Sequence, residues 1–447
     1  MMVKKRLLAT IVKLSFIVRQ RISFFILGSS LVLTLLIWFF TLQSYAFIGS
    51  DPFLFLSKIV ALLGTVGICW TFILATREKV LEVLFGGLDK MYHAHQTMGK
   101  LSFALICLHP FFQFMRFVPH WSKAFGLFVP GTVGAIDLGL SALVLMIVLI
   151  ALTLWIPIPY HIWKRTHEFF IVVLILAFLH IFFINKQVNA SVFLSIWLYG
   201  FIAAGIASYI YIRFLYRFFG PRFSYVVADI KQIRKKTWNV YLNPTHDERL
   251  TYQPGQFVYI SFNNEKLGKE VHPFSLSSFP GQPFLRISVK NLGDYTARLD
   301  YLQVNDFAKI WGPYGCFYEK YLYDDKDAVL IAGGIGITPF LSMIGFEAHR
   351  KSKRKTYILY CIKDEQRADF DKELNGYAAM NPSIIYIRHC SDESGYLDVK
   401  TIKELCGLEK KNFFLCGPKP MMDSFIKQLT QAGVKNSRIV FEDFNFI

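Results

Sequence analysis

The chain has 447 residues, of which 53% are hydrophobic, 17% aromatic and only 18% charged. It is too long for one ordinary domain and more apolar than a soluble enzyme. The formal charge of +17 does not point to nucleic acid, because much of the Lys and Arg flanks long uncharged runs, where basic residues mark the cytosolic side of a bilayer. Seven cysteines with no CxxC pair argue against a disulfide framework or a zinc site.

In chain order, a basic N-terminal segment precedes an uncharged stretch too long for a signal-peptide core. Apolar runs over residues 22–47, 53–76, 138–160 and 187–212 each reach the roughly 20 residues a transmembrane helix needs. Two shorter uncharged runs, 101–115 and 169–185, follow histidines and basic residues. Counting both gives six spans and places the two chain ends on one side. Arg77, Lys79, Lys164, Arg165, Arg213, Arg217 and Arg222 then share the cytosolic face with both termini, as the positive-inside rule requires. The expectation is a multi-pass protein of the plasma membrane whose partner is the lipid bilayer, with no obligatory protein partner.

After Arg222 the texture changes. Short β-rich runs separated by Gly, Pro and Asn turns predict a small antiparallel barrel. From about Asp327 strands and helices alternate, which predicts a parallel α/β nucleotide-binding domain. The fold class expected is therefore multidomain: an all-α six-span unit over residues 1–217, a β-barrel over 218–322 and a Rossmann-like α/β domain over 323–447.

Each of the two short spans is associated with a pair of histidines. His95 and His109 are fourteen residues apart, and His167 and His180 thirteen. Fourteen helical residues rise about 21 Å, which leaves room for two stacked haems, each held by one imidazole from each helix. At about 100° per residue His95 and His109 share a face, whereas His167 and His180 do not, so a π-bulge, a kink or the breadth of a porphyrin must absorb the difference. His93 and His161 compete with His95 and His167 and are placed at the interface. Four ionisable residues in matching intramembrane pairs mark a functional site. In the outer loops Arg116, His120 and Lys123 form a small basic group.

These features, with His95-Gln-Thr-Met-Gly99 at the inner ligand, resemble the ferric reductase and NADPH oxidase superfamily. The second half carries further likenesses. His272-Pro273-Phe274-Ser275-Leu-Ser-Ser278 is similar to that superfamily's flavin motif. The resemblance implies FAD, with Phe274 along the isoalloxazine and the Ser275 hydroxyl near N5. Lys290-Asn-Leu-Gly293-Asp-Tyr295-Thr296 is similar to its pyrophosphate segment, and Gly312-Pro-Tyr-Gly315 to the turn that closes its barrel.

Gly333-Gly334-Ile-Gly336-Ile-Thr338-Pro339 follows an apolar strand and opens a helix, an order that lets backbone approach a pyrophosphate at a helix N-terminus; it resembles the superfamily's nicotinamide motif. Cys416-Gly417-Pro418-Lys-Pro-Met421 resembles the partner motif, which implies a place for Cys416 beside the hydride-donating carbon. A terminal aromatic covers the flavin in this superfamily, and here Phe444 and Phe446 are both candidates, since Ile447 follows. Lys363 and Arg367 suit a 2′-phosphate and Asp364 suits a ribose 2′-hydroxyl; the expectation is NADPH, with NADH as the alternative.

Nicotinamide delivers two electrons together and haem iron takes one, so a flavin must stand between them. The expected enzyme passes electrons from cytosolic NAD(P)H through FAD and two b-type haems, the first on His95 and His167, the second on His109 and His180. An extracytoplasmic acceptor, oxygen giving superoxide, completes the path; a ferric chelate, quinone or protein partner is the alternative. A haem-bearing membrane anchor is the reading from a different class, and the flavin and nicotinamide half opposes it.

Overall fold

The computed structural model describes residues 16–41, 51–131, 133–184, 188–189, 191–220, 222–234 and 236–442. Phe444 and Phe446 lie outside the described residues. The chain divides into two compact units, Met1–Gly86 with Lys90–Phe218, and Gly87–Asp89 with Phe219–Ile447.

The first unit is helical. Its longer helices are α1 (Phe16–Phe40), α2 (Pro52–Leu74), α3 (Leu88–Met115), α4 (Gly134–Leu154), α5 (Tyr160–Glu168), α6 (Phe170–Ile184) and α7 (Val192–Ile210). Among the described residues six helical stretches are long and apolar enough to cross a membrane, the fifth (Ile162–Ile184) taking in most of α5 with α6 and the sixth running on from α7 to Phe219. Large apolar side chains face outward, Phe193 at 80% exposure and Phe25 at 73%, which suits a hydrocarbon solvent and not water.

Local chemistry sets the helix ends. Asp51 accepts a hydrogen bond from the Leu54 amide at 2.9 Å and Pro52 opens α2, a cap-plus-proline start. Inside the bundle, Leu62, Val66, Cys69, Leu174, Leu198 and Ile202 form one core. Helices α2 and α3 approach closely because Gly64 faces Ile106 and Gly67 faces Ser102; small residues let helix backbones come together where no hydrophobic force drives them.

Two spans differ from the hydropathy reading. The third begins at Leu88 and so carries the histidines that the reading set before it; polar Asp89, Lys90, His93, His95 and Lys100 had lowered the local hydropathy. The fifth is broken at Phe169, where the Phe169 amide bonds to Thr166 O at 3.1 Å and the Val172 amide to Phe169 O at 2.9 Å. Such i→i+3 bonding overwinds a helix, which is the sense of rotation that brings His180 towards the face of His167.

The second unit holds two sheets. The first, in the order β4-β3-β6-β1-β2-β5, is antiparallel throughout. Its strands are β1 (Arg222–Arg234), β2 (Thr237–Pro244), β3 (Phe257–Phe262), β4 (His272–Ser275), β5 (Leu285–Lys290) and β6 (Phe307–Tyr314). A bridge from Leu276 to Ile287 joins the two edges, so the sheet curls into a barrel around Val227, Val240, Val258, Ile260, Ile287 and Ile310.

The second sheet is parallel, in the order β11-β10-β7-β8-β9, from β7 (Asp327–Gly333), β8 (Thr356–Ile362), β9 (Ile384–Cys390), β10 (Lys411–Cys416) and β11 (Ile439–Phe441). The chain moves from β7 outward to β9 and returns to β10 on the other side of β7. That reversal puts a crevice at the C-terminal ends of β7 and β10, where α/β sheets bind their ligands. The continuous apolar run of β7, buried from Ala328 to Gly333, is what a central strand covered on both faces requires.

Candidate functional site

In the helical unit the four span histidines meet as two pairs. The rings of His95 and His167 are centred 6.2 Å apart, and those of His109 and His180 6.3 Å apart. A metal between two imidazole nitrogens at about 2 Å apiece places the ring centres roughly 6 to 6.5 Å apart. Both separations therefore leave space for one ion and for no further layer of atoms along the line joining the rings.

The protonation of the rings is set from behind. The Nδ1 of His95 donates to Thr71 O at 2.8 Å, that of His180 to Ala135 O at 2.6 Å, and that of His109 to Ser57 O at 3.0 Å. A carbonyl can only accept, so in each of these contacts the ring nitrogen is the donor; the Ser57 hydroxyl also lies 2.9 Å from His109 Nδ1, and the contacts turn each Nε2 away from these backbone partners. His167 Nδ1 lies 3.5 Å from the Thr153 hydroxyl, whose own proton is given to Leu149 O at 2.7 Å. Outer partners of this kind orient metal-binding imidazoles. Trp163 stacks on the other face of His167 at 5.1 Å.

Room for one ring is built into the backbone. A Cβ at Gly139 of α4 would stand 2.7 Å from His180 Nδ1 and 2.9 Å from its Cε1. Among the described residues no group of three or more His, Cys, Asp or Glu could hold a metal. Two imidazoles are too few for a bare zinc ion, but they are a full axial set for an iron already held by a porphyrin. The pairs thus fit haem. Arg116 is bound to Asp51 at 2.8 Å, so the basic group expected with His120 and Lys123 is partly neutralised.

In the barrel, the His272–Ser275 strand is half-buried whereas Leu276 to Phe279 are buried. The His272 ring stacks on Tyr295 at 3.8 Å, bonds Glu270 at 2.9 Å, and Glu270 bonds Arg298 at 3.0 Å. Burial pushes the Glu270 carboxyl up, but Arg298 and His272 outweigh it and hold it below the usual carboxylate range. The Tyr295 hydroxyl is buried without a hydrogen-bond partner among the described residues, and burial raises its pKa. A buried donor left unmade costs free energy, so this end of the barrel fits a flavin phosphate or ring that accepts from it.

Phe274 packs against the barrel core, and Pro273 and Ser275 lie in the same half-buried strand. Lys290 ends β5, half-buried. The short helix α8 (Asp294–Ala297) follows, with Gly293 before it. There the Thr296 hydroxyl accepts from the Gly293 amide at 3.0 Å and donates to Gly293 O. These expected phosphate donors are engaged with each other, so an anion on this loop competes with its internal bonds.

At the crevice of the parallel sheet the two glycine turns interlock. Helix α9 (Thr338–His349) starts just after Gly333–Ile337, with Pro339 in its first turn. Gly334 has a φ of +54° and open space around it. Gly333 and Gly336 are different, because a Cβ on Gly333 would meet Met421 Sδ at 2.7 Å and Pro418 Cδ at 2.8 Å, and one on Gly336 would strike the Cys416 carbonyl. The sequence reading assigned these glycines to a pyrophosphate. The structure gives Gly333, Gly336 and Gly417 a second reason, the contact of one motif with the other. Cys416 is buried, 2% exposed. Lys363 and Arg367 are exposed, and Arg367 is bonded to Asp364 at 3.0 Å.

The two sheets are tied by Arg286 of β5. It makes two bonds to Glu373 of α10 (Asp371–Met380), at 2.7 and 3.0 Å, and its guanidinium also donates to Ser277. Burial pushes the Arg286 pKa down, but Glu373 outweighs it and raises it. Arg286→Met strands the Glu373 carboxylate, and is expected to cost about 2–4 kcal/mol, read as a lower temperature of flavin release. The double variant with Glu373→Leu should recover most of that loss.

Sequence reasoning missed the groups behind the histidines, and also Glu270 and Arg298. One signal was present: Gly139 sits inside an apolar helix, where glycine costs stability and asks for a packing reason.

Known proteins place the parts. Residues 60–178 match the family described as ferric reductase like transmembrane component, 223–333 an FAD-binding domain and 330–427 an oxidoreductase NAD-binding domain. The chain is thus a flavin- and nicotinamide-dependent oxidoreductase built on a multi-pass membrane component. In that order the three parts give it the architecture of the ferric reductase and NADPH oxidase superfamily.

Among curated relatives, the flavohemoprotein of Bacillus subtilis is 26% identical over 49% of this chain and 58% of its own length. The sulfhydrogenase 2 subunit gamma of Pyrococcus furiosus is 26% identical over 48% of this chain and 80% of its own. The chain thus covers little more than half of that flavohemoprotein. A flavohemoglobin structure from Malassezia yamatoensis is 19% identical at a TM-score of 0.50, covering 89% of this chain and 97% of that one, a likeness of fold alone.

Proposed function

We propose that the protein carries electrons across the membrane, from a cytosolic nicotinamide nucleotide to an acceptor on the other side, with both termini cytosolic. The observation that carries this reading is the two imidazole pairs, 6.2 and 6.3 Å between ring centres, in a chain that also has flavin- and nicotinamide-binding parts. When bound, FAD takes a hydride and releases its electrons singly, and two b-type haems relay them across the bilayer.

The chain's own residues hold these groups in place. His95 and His167 would hold the inner haem, and His109 and His180 the outer one, with Nδ1 partners that keep every Nε2 ready to bind. Two imidazoles per pair would complete the protein's ligands to each group, so the acceptor would be reduced without binding the iron. His272, Tyr295 and the Glu270–Arg298 pair would position the flavin, Ser275 its reacting ring, and the interlocked turns the nicotinamide beside Cys416. One of the terminal aromatics, Phe444 or Phe446, is the proposed cover of the flavin. We take the acceptor to be oxygen, giving superoxide.

The test uses detergent-purified full-length protein with FAD and nicotinamide nucleotide. Cytochrome c reduction is followed with and without superoxide dismutase, and the haem spectrum is recorded in the same cuvette. Haem reduction with a signal removed by the dismutase is expected. Haem reduction with a signal the dismutase does not touch would exclude oxygen and leave a ferric chelate, quinone or protein acceptor. A preparation that retains no haem would sink the relay.

A further inference from the structure

Strand β8 runs beside β7, with Cys361 opposite Gly333 in register. The residues just past β8 therefore emerge at the same end of the sheet as the glycine turn. In a dinucleotide-binding sheet this is where the adenosine ribose lies, and a carboxylate there accepts from a 2′-hydroxyl, whereas a free guanidinium accommodates a 2′-phosphate.

Asp364 and Arg367 both occupy this position, but they are not equally available. Asp364 Oδ2 holds Arg367 Nε at 3.0 Å, so the guanidinium is already paired with a carboxylate. The other carboxylate oxygen, Oδ1, is buried and has no hydrogen-bond partner among the described residues, although the side chain as a whole is 35% exposed. A carboxylate oxygen in that state needs a donor, and a ribose hydroxyl is one. The nearby cation Arg388 is also engaged, by Glu365 at 2.5 Å and Asp371 at 3.7 Å.

The surroundings add negative charge. The Asp392 amide donates to Lys363 O at 2.9 Å, which brings the Asp392–Glu393 segment alongside. Lys363 is exposed and is set among Asp364, Glu365, Asp392 and Glu393. A 2′-phosphate would bring nearly two further negative charges to a place with more carboxylates than cations.

We infer that the chain selects NADH over NADPH, with Asp364 as the acceptor for the ribose 2′-hydroxyl and the Asp364–Arg367 pair as the element that excludes the 2′-phosphate. This rests on the reading that nicotinamide nucleotide reduces a bound flavin, and it reverses the preference for NADPH drawn from Lys363 and Arg367 in the sequence alone.

The experiment is anaerobic stopped-flow bleaching of the flavin in the full-length, FAD-loaded protein, with NADH and NADPH in separate runs. The expected kcat/KM is higher for NADH by roughly tenfold or more. Asp364→Ala removes the acceptor and frees Arg367, so it should shift the ratio towards NADPH by roughly tenfold, mostly through KM, with FAD content unchanged. Faster bleaching by NADPH, or a ratio that Asp364→Ala does not move, overturns the inference while the electron path stands. If neither nucleotide bleaches the flavin, the path itself falls and the inference with it.

Discussion

Replacing His109 by alanine is expected to halve the haem bound per FAD and to abolish reduction of the distal acceptor, while flavin reduction by nicotinamide nucleotide stays within about twofold of the parent. The asymmetry follows from where His109 sits. It faces His180 across 6.3 Å, and a single remaining imidazole gives an iron one axial bond in place of two. The cut falls late in the path, so the steps before it keep their machinery. Gly139→Ala is the milder version of the same lesion. Its new methyl would lie 2.7 Å from His180 Nδ1 and must turn the ring off the Ala135 carbonyl. Loss of an outer partner of a metal-binding histidine costs about 10- to 100-fold in affinity. Pyridine haemochrome content against flavin content measures both variants. An His109→Ala protein with full haem content and full turnover would remove the pair from the relay.

The parts of this design that were legible in the sequence are those written in side-chain chemistry at fixed spacing. Six apolar stretches, two histidine pairs and the ordered motifs from His272 to Met421 give the fold class and the chemistry together. What could not be read depends on groups that leave no signature. Thr71, Ser57 and Ala135 hold histidines through their backbone carbonyls, which every residue possesses. Thr153 acts by its hydroxyl, but from fourteen residues away across a helix break. Arg286 and Glu373 are 87 residues apart, and no local pattern joins them.

Span boundaries failed for a related reason. Hydropathy averages over a window, and the start of α3 is polar because it carries His93, His95, Lys90 and Lys100. The feature that marks the site is thus the one that hides the helix from the window. A kink in the fifth span, by contrast, was one of the ways the spacing of His167 and His180 could be reconciled. The break at Phe169 is where the backbone changes its winding, two residues from His167.

Glycine is the residue whose role the sequence resolves least, and Gly336 offers the sharpest test of it. A glycine in a nucleotide-binding turn can be needed for conformation, for a ligand's approach, or for contact with another segment. Gly334 belongs to the first kind, with φ at +54° and nothing within 4 Å of an added Cβ. Gly336 belongs to the third, since its Cβ would strike the Cys416 carbonyl and stand 2.8 Å from Gly417 Cα. Those neighbours are backbone and cannot swing aside. Gly336→Ala must therefore push the two turns apart, displacing the nicotinamide subsite from the flavin, and a misplacement near 1 Å costs about a hundredfold in rate. The expected result is a fall of that order in flavin reduction, chiefly in kcat, with haem content intact and direct chemical reduction of the haems by dithionite unchanged. Gly334→Ala, which meets only the left-handed backbone strain of about 1–2 kcal/mol, should lose stability but keep most of its hydride-transfer rate. If the two variants behaved alike, conformation alone would explain the glycines, and the interlock of the two motifs would be a consequence of the fold with no part in aligning the cofactors.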